Sequence, residues 1–230
     1  MMPLHSHIKF SEVASFRNGL NFSKESHGEG CLLVGIPDFK DRFTPDYPSL
    51  NEIDPTGITK ADDYLRKGDI VFVRSNGNKA LVGRSLYIDR EVRALFSGFC
   101  IRARLGDDKL DSRFCAYYTR TPAFKRAISA SAGTNINNLN QGILGDVKLP
   151  LYPIERQLAI TSLLGSLDSK IDLNNRINEE LEGMAKLLYD YWFVQFDFPI
   201  TAAQAAAMGK PHLEGKPYLP SNWKLPTVLQ

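Results

Sequence analysis

The feature that most constrains this chain is an unbroken helical pattern, from about Glu155 to Phe193, that contains no proline. Its apolar residues recur at alternating steps of four and three. They are Ile160, Leu164, Leu167 and Ile171, then Leu181, Ala185, Leu188 and Trp192, with Asn174 and Asn178 on the same stripe between them. Such spacing makes a seam for another helix. At about 1.5 Å per residue the segment would run to roughly 58 Å, about twice the width of a small domain, so most of the seam has no place in the chain's own core. The expectation is a helix that projects and pairs.

The 230 residues suffice for one ordinary domain plus such an appendage, and 43% hydrophobic with 10% aromatic content is enough to fill a core. No apolar run approaches a membrane span, and the first seven residues lack the basic-then-apolar layout of a signal peptide. A cytoplasmic protein with no membrane association is expected. Cys31, Cys100 and Cys115 are odd in number, widely spaced and set among apolar residues, which points to reduced core thiols.

The formal net charge of +2 is unevenly spread. Residues 1–65 hold 6 Lys/Arg against 10 Asp/Glu, residues 66–126 hold 14 against 6, and residues 127–230 hold 8 against 10. A basic middle third suits a phosphate backbone, since each neutralised phosphate releases counterions. Solvated surface lysines and arginines would give the same count.

Residues 1–152 read as a mixed, strand-rich globular domain, so the chain as a whole is α+β: that domain followed by a long projecting coiled-coil helix. Candidate strands are Cys31–Ile36, Asp69–Arg74, Gly83–Ile88, Phe99–Leu105 and Gly145–Leu149, each short and bounded by turn residues. Alternation in Phe99–Leu105 puts Arg102 and Arg104 on one face, expected to be wet, and apolar residues on the other. Helices are expected over Ser112–Arg120 and from Pro122 onward, where proline suits a first turn. The Leu149-Pro150-Leu151-Tyr152-Pro153 stretch is a stiff boundary. The long helix follows within 153–198, and 199–230 read as a short helix, a linker and the possible opening of a second copy of the N-terminal domain. Trp223-Lys224-Leu225-Pro226-Thr227-Val228 echoes Ile8-Lys9-Phe10-Ser11-Glu12-Val13 in the spacing of Lys, a bulky apolar residue and Val.

Two loops carry chemistry suited to DNA. Arg74-Ser75-Asn76-Gly77-Asn78-Lys79 follows a strand and offers Arg for guanine, Asn for adenine and Lys for phosphate, although Asn-Gly is equally a hairpin signal. Arg84 lies nearby as a backbone contact, and Arg102 and Arg104 are further candidates. The Ser129–Gln141 stretch holds four asparagines and a glutamine in its last seven positions, uncharged groups that suit base edges and phosphate oxygens. An ordinary polar loop before a last strand would have the same composition. Lys125 and Arg126 on the preceding helix are candidates for phosphate. Residues 20–30 form an early loop to which the sequence assigns no role.

No methyl-donor fingerprint and no phosphate-cradling loop occur, so no cofactor is expected. Pro37-Asp38-Phe39-Lys40 has a loose likeness to a metal-dependent nuclease, without a convincing second acidic residue. The four histidines lack ligand spacing, so no metal site is expected. A metal-dependent nuclease with a helical dimerisation arm and a coiled-coil adaptor with no DNA role stand as alternatives.

Three stretches carry a family resemblance: Leu65-Arg66-Lys67-Gly68-Asp69-Ile70-Val71-Phe72-Val73-Arg74-Ser75, then Leu144–Leu151 closing on Pro153-Ile154-Glu155-Arg156-Gln157, then Leu188-Tyr189-Asp190-Tyr191-Trp192-Phe193. Together they resemble the DNA specificity subunit of type I restriction-modification systems. The resemblance implies a target-recognition domain at 1–152, a spacer helix at 153–198, and no catalysis of its own. It further implies double-stranded DNA, adenine methyltransferase (modification) subunits and restriction/translocase subunits as partners. Within the Ser129–Gln141 stretch the resemblance implies Thr134, Asn135, Asn137 and Asn138 as the candidates for DNA. The family's unit is usually present twice, with the two helices antiparallel, whereas this chain holds one recognition domain and one full helix. A homodimer, or pairing with a second recognition half, is therefore expected to read a bipartite site. Full overlap over 155–193 would set Asn174 against its mate on the two-fold axis; a solvent-exposed Asn174 where the seam opens is the other reading.

Overall fold

The computed structural model describes residues 6–22, 27–40, 42–56, 59–132, 138–190 and 199–216. The chain divides into two compact units, Met1–Leu164 and Gly165–Gln230.

The first unit is organised by the run Ile70-Val71-Phe72-Val73, four apolar residues without a polar break, which is what a strand covered on both faces requires. It is strand β5 (Ile70–Val73), inside a four-stranded antiparallel sheet of order β2-β8-β5-β6, with β2 at Ala14–Asn18, β6 at Ser85–Tyr87 and β8 at Cys100–Leu105. Period-two alternation sends Ile70 and Phe72 to one side, where they pack with Ile101, Ala103, Phe114, Phe124 and Ile128. Val71 and Val73 go to the other side and meet Val34, Leu86, Ala94, Phe96 and Cys100. Each fully buried side chain of this size is worth about 1.5–3 kcal/mol, so the strand is secured from two layers at once.

Helices build the first layer. They are α1 (Phe10–Val13), α2 (Ser112–Thr119), α3 (Pro122–Ala132) and α4 (Gln141–Asp146), with α4 packing on both α1 and α3. The Asp111 side chain caps α2 by accepting from the Phe114 amide at 2.7 Å, and Asn140 caps α4 by accepting from the Ile143 amide at 2.9 Å. A buried hydroxyl pair, Ser85 with Thr119 at 2.8 Å, fastens α2 to β6. The second layer is a three-stranded sheet of order β4-β3-β7, with β3 at His27–Val34, β4 at Asn51–Ile53 and β7 at Ala94–Phe96; β3 and β7 run parallel. Finally β1 (Ser6–Lys9) pairs antiparallel with β9 (Lys148–Leu151), placing Pro150 opposite His7 in a two-stranded ribbon where a missing N–H can be tolerated.

Four expectations need correction. The turn before β9 is helical: Asn140 caps Gln141–Asp146, so the last strand is Lys148–Leu151 and not Gly145–Leu149. The Arg102 and Arg104 face of β8 is not wet, because the 61–69 segment covers it, and Arg102 is 2% exposed. Strand β3 already begins at His27 and ends at Val34, so residues 27–30 belong to it and not to the early loop, and the strand is not Cys31–Ile36. Strands β1, β2, β4 and β7 carry no signal that the sequence reading caught. The three cysteines are buried free thiols, and burial pushes Cys100 up to about 12.

Helix α5 (Ile154–Tyr189) begins immediately behind Pro153. Its first turns belong to the first unit: Ile160 packs on the core, and Gln157 and Thr161 are buried. In the second unit the helix displays Leu167, Ile171, Leu173, Ile177, Leu181, Met184, Leu187 and Leu188, all between 44% and 71% exposed. Asn174 and Asn178 are exposed among them. Leu173, Ile177, Met184 and Leu187 lie off the predicted seam, so the apolar edge is broader than the spacing alone suggested. Trp192 and the aromatic cluster at 191–198 lie outside the described residues, as does the 223–228 echo. The expected short helix is α6 (Ala202–Ala207), capped by Thr201. Among the described residues no helix is long and apolar enough to cross a membrane.

Candidate nucleic-acid interface

Antiparallel pairing sends the end of β2, the end of β5, the start of β6 and the start of β8 to the same edge of the four-stranded sheet. Backbone hydrogen bonds lace the loops that emerge there. Arg74 and Ser75 both donate to the Phe99 carbonyl, at 2.8 and 3.4 Å, and Gly98 donates to Leu20 at 2.7 Å. Gly19 approaches so closely that a Cβ would sit 2.1 Å from the Ser97 carbonyl oxygen. The two polar loops that the sequence offered as separate candidates are also joined. Ser75 forms an antiparallel bridge with Asn138, and the amide of buried Leu139 donates to the Arg74 carbonyl at 2.8 Å.

Within the 74–84 loop, the Asn76 side-chain oxygen accepts from the Asn78 amide at 2.7 Å, and the Asn78 oxygen accepts from the Ala80 amide at 3.0 Å. These are consecutive Asx turns. Both asparagines therefore hold the loop's shape with the oxygen that a bidentate adenine contact would also use. Lys79 opens the 3-10 turn Lys79–Leu81. Arg74 is half-buried, and the half-buried Arg84 reaches the Phe39 carbonyl at 3.4 Å. Gly83 takes φ +81° and would bring a Cβ to 3.3 Å from Ile128, so α3 packs directly on the loop. Lys125 and Arg126 are exposed on that helix. Thr134, Asn135 and Asn137 lie outside the described residues, while Asn138 is exposed at the bridge.

Arg102 and Arg104 do different work. Arg104 forks onto Asp69 with Nε and Nη2 both at 2.7 Å and reaches Asp62 and the Tyr64 carbonyl at 2.9 Å. Arg102 donates to the Asp62 carbonyl at 2.7 Å. Arg17 joins through Asp62 and Asp63. Burial alone would raise the Asp62 carboxyl, but the charges of Arg102, Arg104 and Arg17 outweigh it and hold the group below its ordinary value. The hydrogen bonds to Asp69 raise Arg104. Asp62, which lies outside the basic 66–126 stretch, thus offsets part of its excess, Asp69 within the stretch pairs with Arg104, and these two arginines are not presented to a ligand.

The opposite edge of the sheet holds the helix root. Gln157, 0% exposed, accepts from the Asp111 amide at 2.8 Å and donates to the Lys109 and Tyr152 carbonyls, each at 2.8 Å. Near it, the Tyr87 hydroxyl is 3.2 Å from Ser112, and Tyr87 pairs with Ile70 at the start of β5. A short strand therefore separates the loop cluster from the base of α5 within this unit.

The nuclease alternative finds no support at the same scale of detail. The Asp38 carboxylate accepts from the Gly35 amide at 2.7 Å to close a 3-10 turn, and its neighbour Phe39 is a core residue. Burial raises the Asp38 carboxyl. Among the described residues no group of three or more His, Cys, Asp or Glu is placed to hold a metal ion.

A family model described as "Type I restriction modification DNA specificity domain" matches residues 9–183, spanning the globular unit and most of α5. The chain belongs to that family. This specificity domain is 29% identical over 134 residues to the type I restriction enzyme EcoKI specificity subunit of Escherichia coli, covering 57% of this chain and 28% of that protein. It is 25% identical over 195 residues to the MjaVIII specificity subunit of Methanocaldococcus jannaschii, covering 78% and 43%. In fold it is similar to the S subunit from M. genitalium, with TM-score 0.56, 15% identity and coverage of 80% of this chain and 44% of that one. It is also similar to the HsdS subunit from Thermoanaerobacter tengcongensis, with TM-score 0.53, 20% identity and coverage of 82% and 43%. The specificity domain thus spans less than half the length of each relative.

Among exposed groups, the sequence reading passed over Phe99. It looks like the first residue of a strand, yet it stands 57% exposed in the turn before β8. An aromatic between Gly98 and Cys100 gives no hint of this orientation; the outward register comes from the bonds that fix the turn.

Proposed function

We propose that this chain is the non-catalytic, sequence-reading unit of a type I restriction-modification complex, binding double-stranded DNA with the loops at the β2/β5/β8 edge. The observation that carries this reading is the bridge between Ser75 and Asn138, which joins the 74–84 loop and the 138 segment, with α3, whose Lys125 and Arg126 are exposed, packed on that loop through Ile128. Arg74, Asn76, Asn78 and Lys79 supply contacts from the first loop, and Thr134, Asn135, Asn137 and Asn138 from the second. Lys125 and Arg126 meet phosphates, and Arg84 orders the loop from behind.

A second copy, or a second recognition half, pairs through antiparallel α5 helices along Ile160, Leu164, Leu167, Ile171, Asn174, Asn178, Leu181 and Leu188, with Trp192, beyond the described end of the helix, as a further candidate contact. Two domains then read a split site of fixed spacing, and the assembly positions adenine methyltransferase and restriction/translocase subunits. The broad exposed apolar edge supports this, since a helix with so much unburied leucine needs cover. If the dimer is symmetric, the site is an interrupted palindrome.

Binding of the full chain to duplex DNA, measured by anisotropy across a salt series, tests the reading. Lys125→Glu with Arg126→Glu should weaken binding to all duplexes and flatten the plot of log affinity against log salt by about 0.9 per lost phosphate contact. A slope equal to that of the parent would remove α3 from the interface. Absence of binding to any duplex, alone and with the modification subunit, would remove the DNA role.

A further inference from the structure

Phe99 is anomalous in its setting. Among the described residues it is the most exposed large hydrophobic of the first unit apart from Leu163 on α5, and its carbonyl is bonded to the 74–84 loop. Its backbone is fixed on every side. Ser97 donates to Val34 at 2.9 Å, Gly98 to Leu20 at 2.7 Å and Cys100 to Ser97 at 2.8 Å, while the Phe99 carbonyl accepts from both Arg74 and Ser75. A Cβ on Gly98 would fall 2.0 Å from the Asn21 side-chain oxygen, so the turn is also closely packed. The turn that presents the ring is therefore fixed, and among the described residues Phe99 belongs to no core cluster.

A pre-positioned apolar ring among polar loops has a specific use on DNA. Arginine, asparagine and lysine recognise guanine, adenine and phosphate, but the 5-methyl of thymine offers no hydrogen bond and is read by apolar contact in the major groove. We propose that Phe99 is a specificity-determining residue that contacts the 5-methyl group of one thymine in the half-site. The inference rests on the DNA-reading function proposed above. It assigns that function's apolar element to a residue that no polar or basic pattern would select.

The test begins by selecting the tightest duplex from a randomised library with the full chain at low salt. Affinities of the parent, Phe99→Ala, Phe99→Leu and Arg74→Glu are then measured on that duplex and on versions in which single thymines are replaced by uracil. One uracil substitution should weaken the parent about fourfold, the worth of one methyl, and should leave Phe99→Ala unaffected. Phe99→Leu should keep part of the thymine preference. Thermal unfolding and salt slope should be unchanged in Phe99→Ala, since the ring is exposed and touches no phosphate.

Unchanged affinity of Phe99→Ala, with Arg74→Glu still impaired, overturns the assignment and leaves the DNA-reading function standing. Equal loss on thymine and uracil duplexes overturns it in favour of a general base-stacking wedge. Failure of the parent to enrich any duplex overturns both.

Discussion

Replacing Gln157 with alanine removes three hydrogen bonds from one side chain that is 0% exposed, each at 2.8 Å. The groups left behind are the Asp111 amide and the carbonyls of Lys109 and Tyr152. A buried donor or acceptor without a partner costs about 1–3 kcal/mol. Asp111 and Tyr152 are half-buried and Lys109 is exposed, so water can reach part of the gap, and the expected loss is about 3–5 kcal/mol in total. At roughly 3 °C per kcal/mol this lowers the melting temperature by about 10–15 °C. Gln157→Glu discriminates further, since it keeps the acceptor for Asp111 but turns an anionic oxygen toward two carbonyls, and it should be at least as damaging as alanine. Urea unfolding followed by circular dichroism measures both. A loss under about 1 kcal/mol in Gln157→Ala, or a Gln157→Glu variant as stable as the parent, would refute the claim that this amide fastens the base of α5.

Gly19→Ala places a methyl 2.1 Å from the Ser97 oxygen and 2.4 Å from the Phe96 oxygen, both backbone, and should cost about 3 kcal/mol in thermal unfolding. Gly98→Ala meets chiefly the movable Asn21 amide and should cost clearly less. Asp62 has its pKa depressed in the folded protein, so its contribution is whole above the unfolded value of about 4 and is lost as pH falls through the lower folded value; Asp62→Asn should destabilise at pH 7 and flatten the acid limb of the stability profile. Ile171→Glu with Leu181→Glu, both on the exposed edge of α5, should leave unfolding of the globular unit unchanged and abolish self-association in sedimentation; a persisting dimer would dismiss helix pairing.

The helix was legible because its signal is local: a proline-free run with three–four spacing needs no distant partner to declare itself. Strand β5 was legible for the same reason, as were α2 and α3, where Asp111 and Pro122 mark the starts. What misled was context from afar. Arg102 and Arg104 alternate with apolar residues as a wet face would, and only the segment carrying Asp62, Asp63 and Asp69, tens of residues away, turns that face inward. Strands β2 and β7 exist through pairing with β8 and β3, and Ala-Ser-Phe-Arg-Asn has little β preference of its own. The loops were recognisable by composition, but their union through Ser75 and Asn138 is a property of the folded chain.

In the DNA-reading role proposed above, that union constrains how the chain could acquire a new target. Residues 74–84 would arrive in a foreign scaffold without the clasp that Asn138 and Leu139 provide, and without the Phe99 carbonyl that receives two of their amides. Grafting one segment alone therefore transplants letters without their alignment. Changes of preference should succeed when the whole body through the start of α5 is exchanged as a cassette, with Gln157 as the coupling at its border.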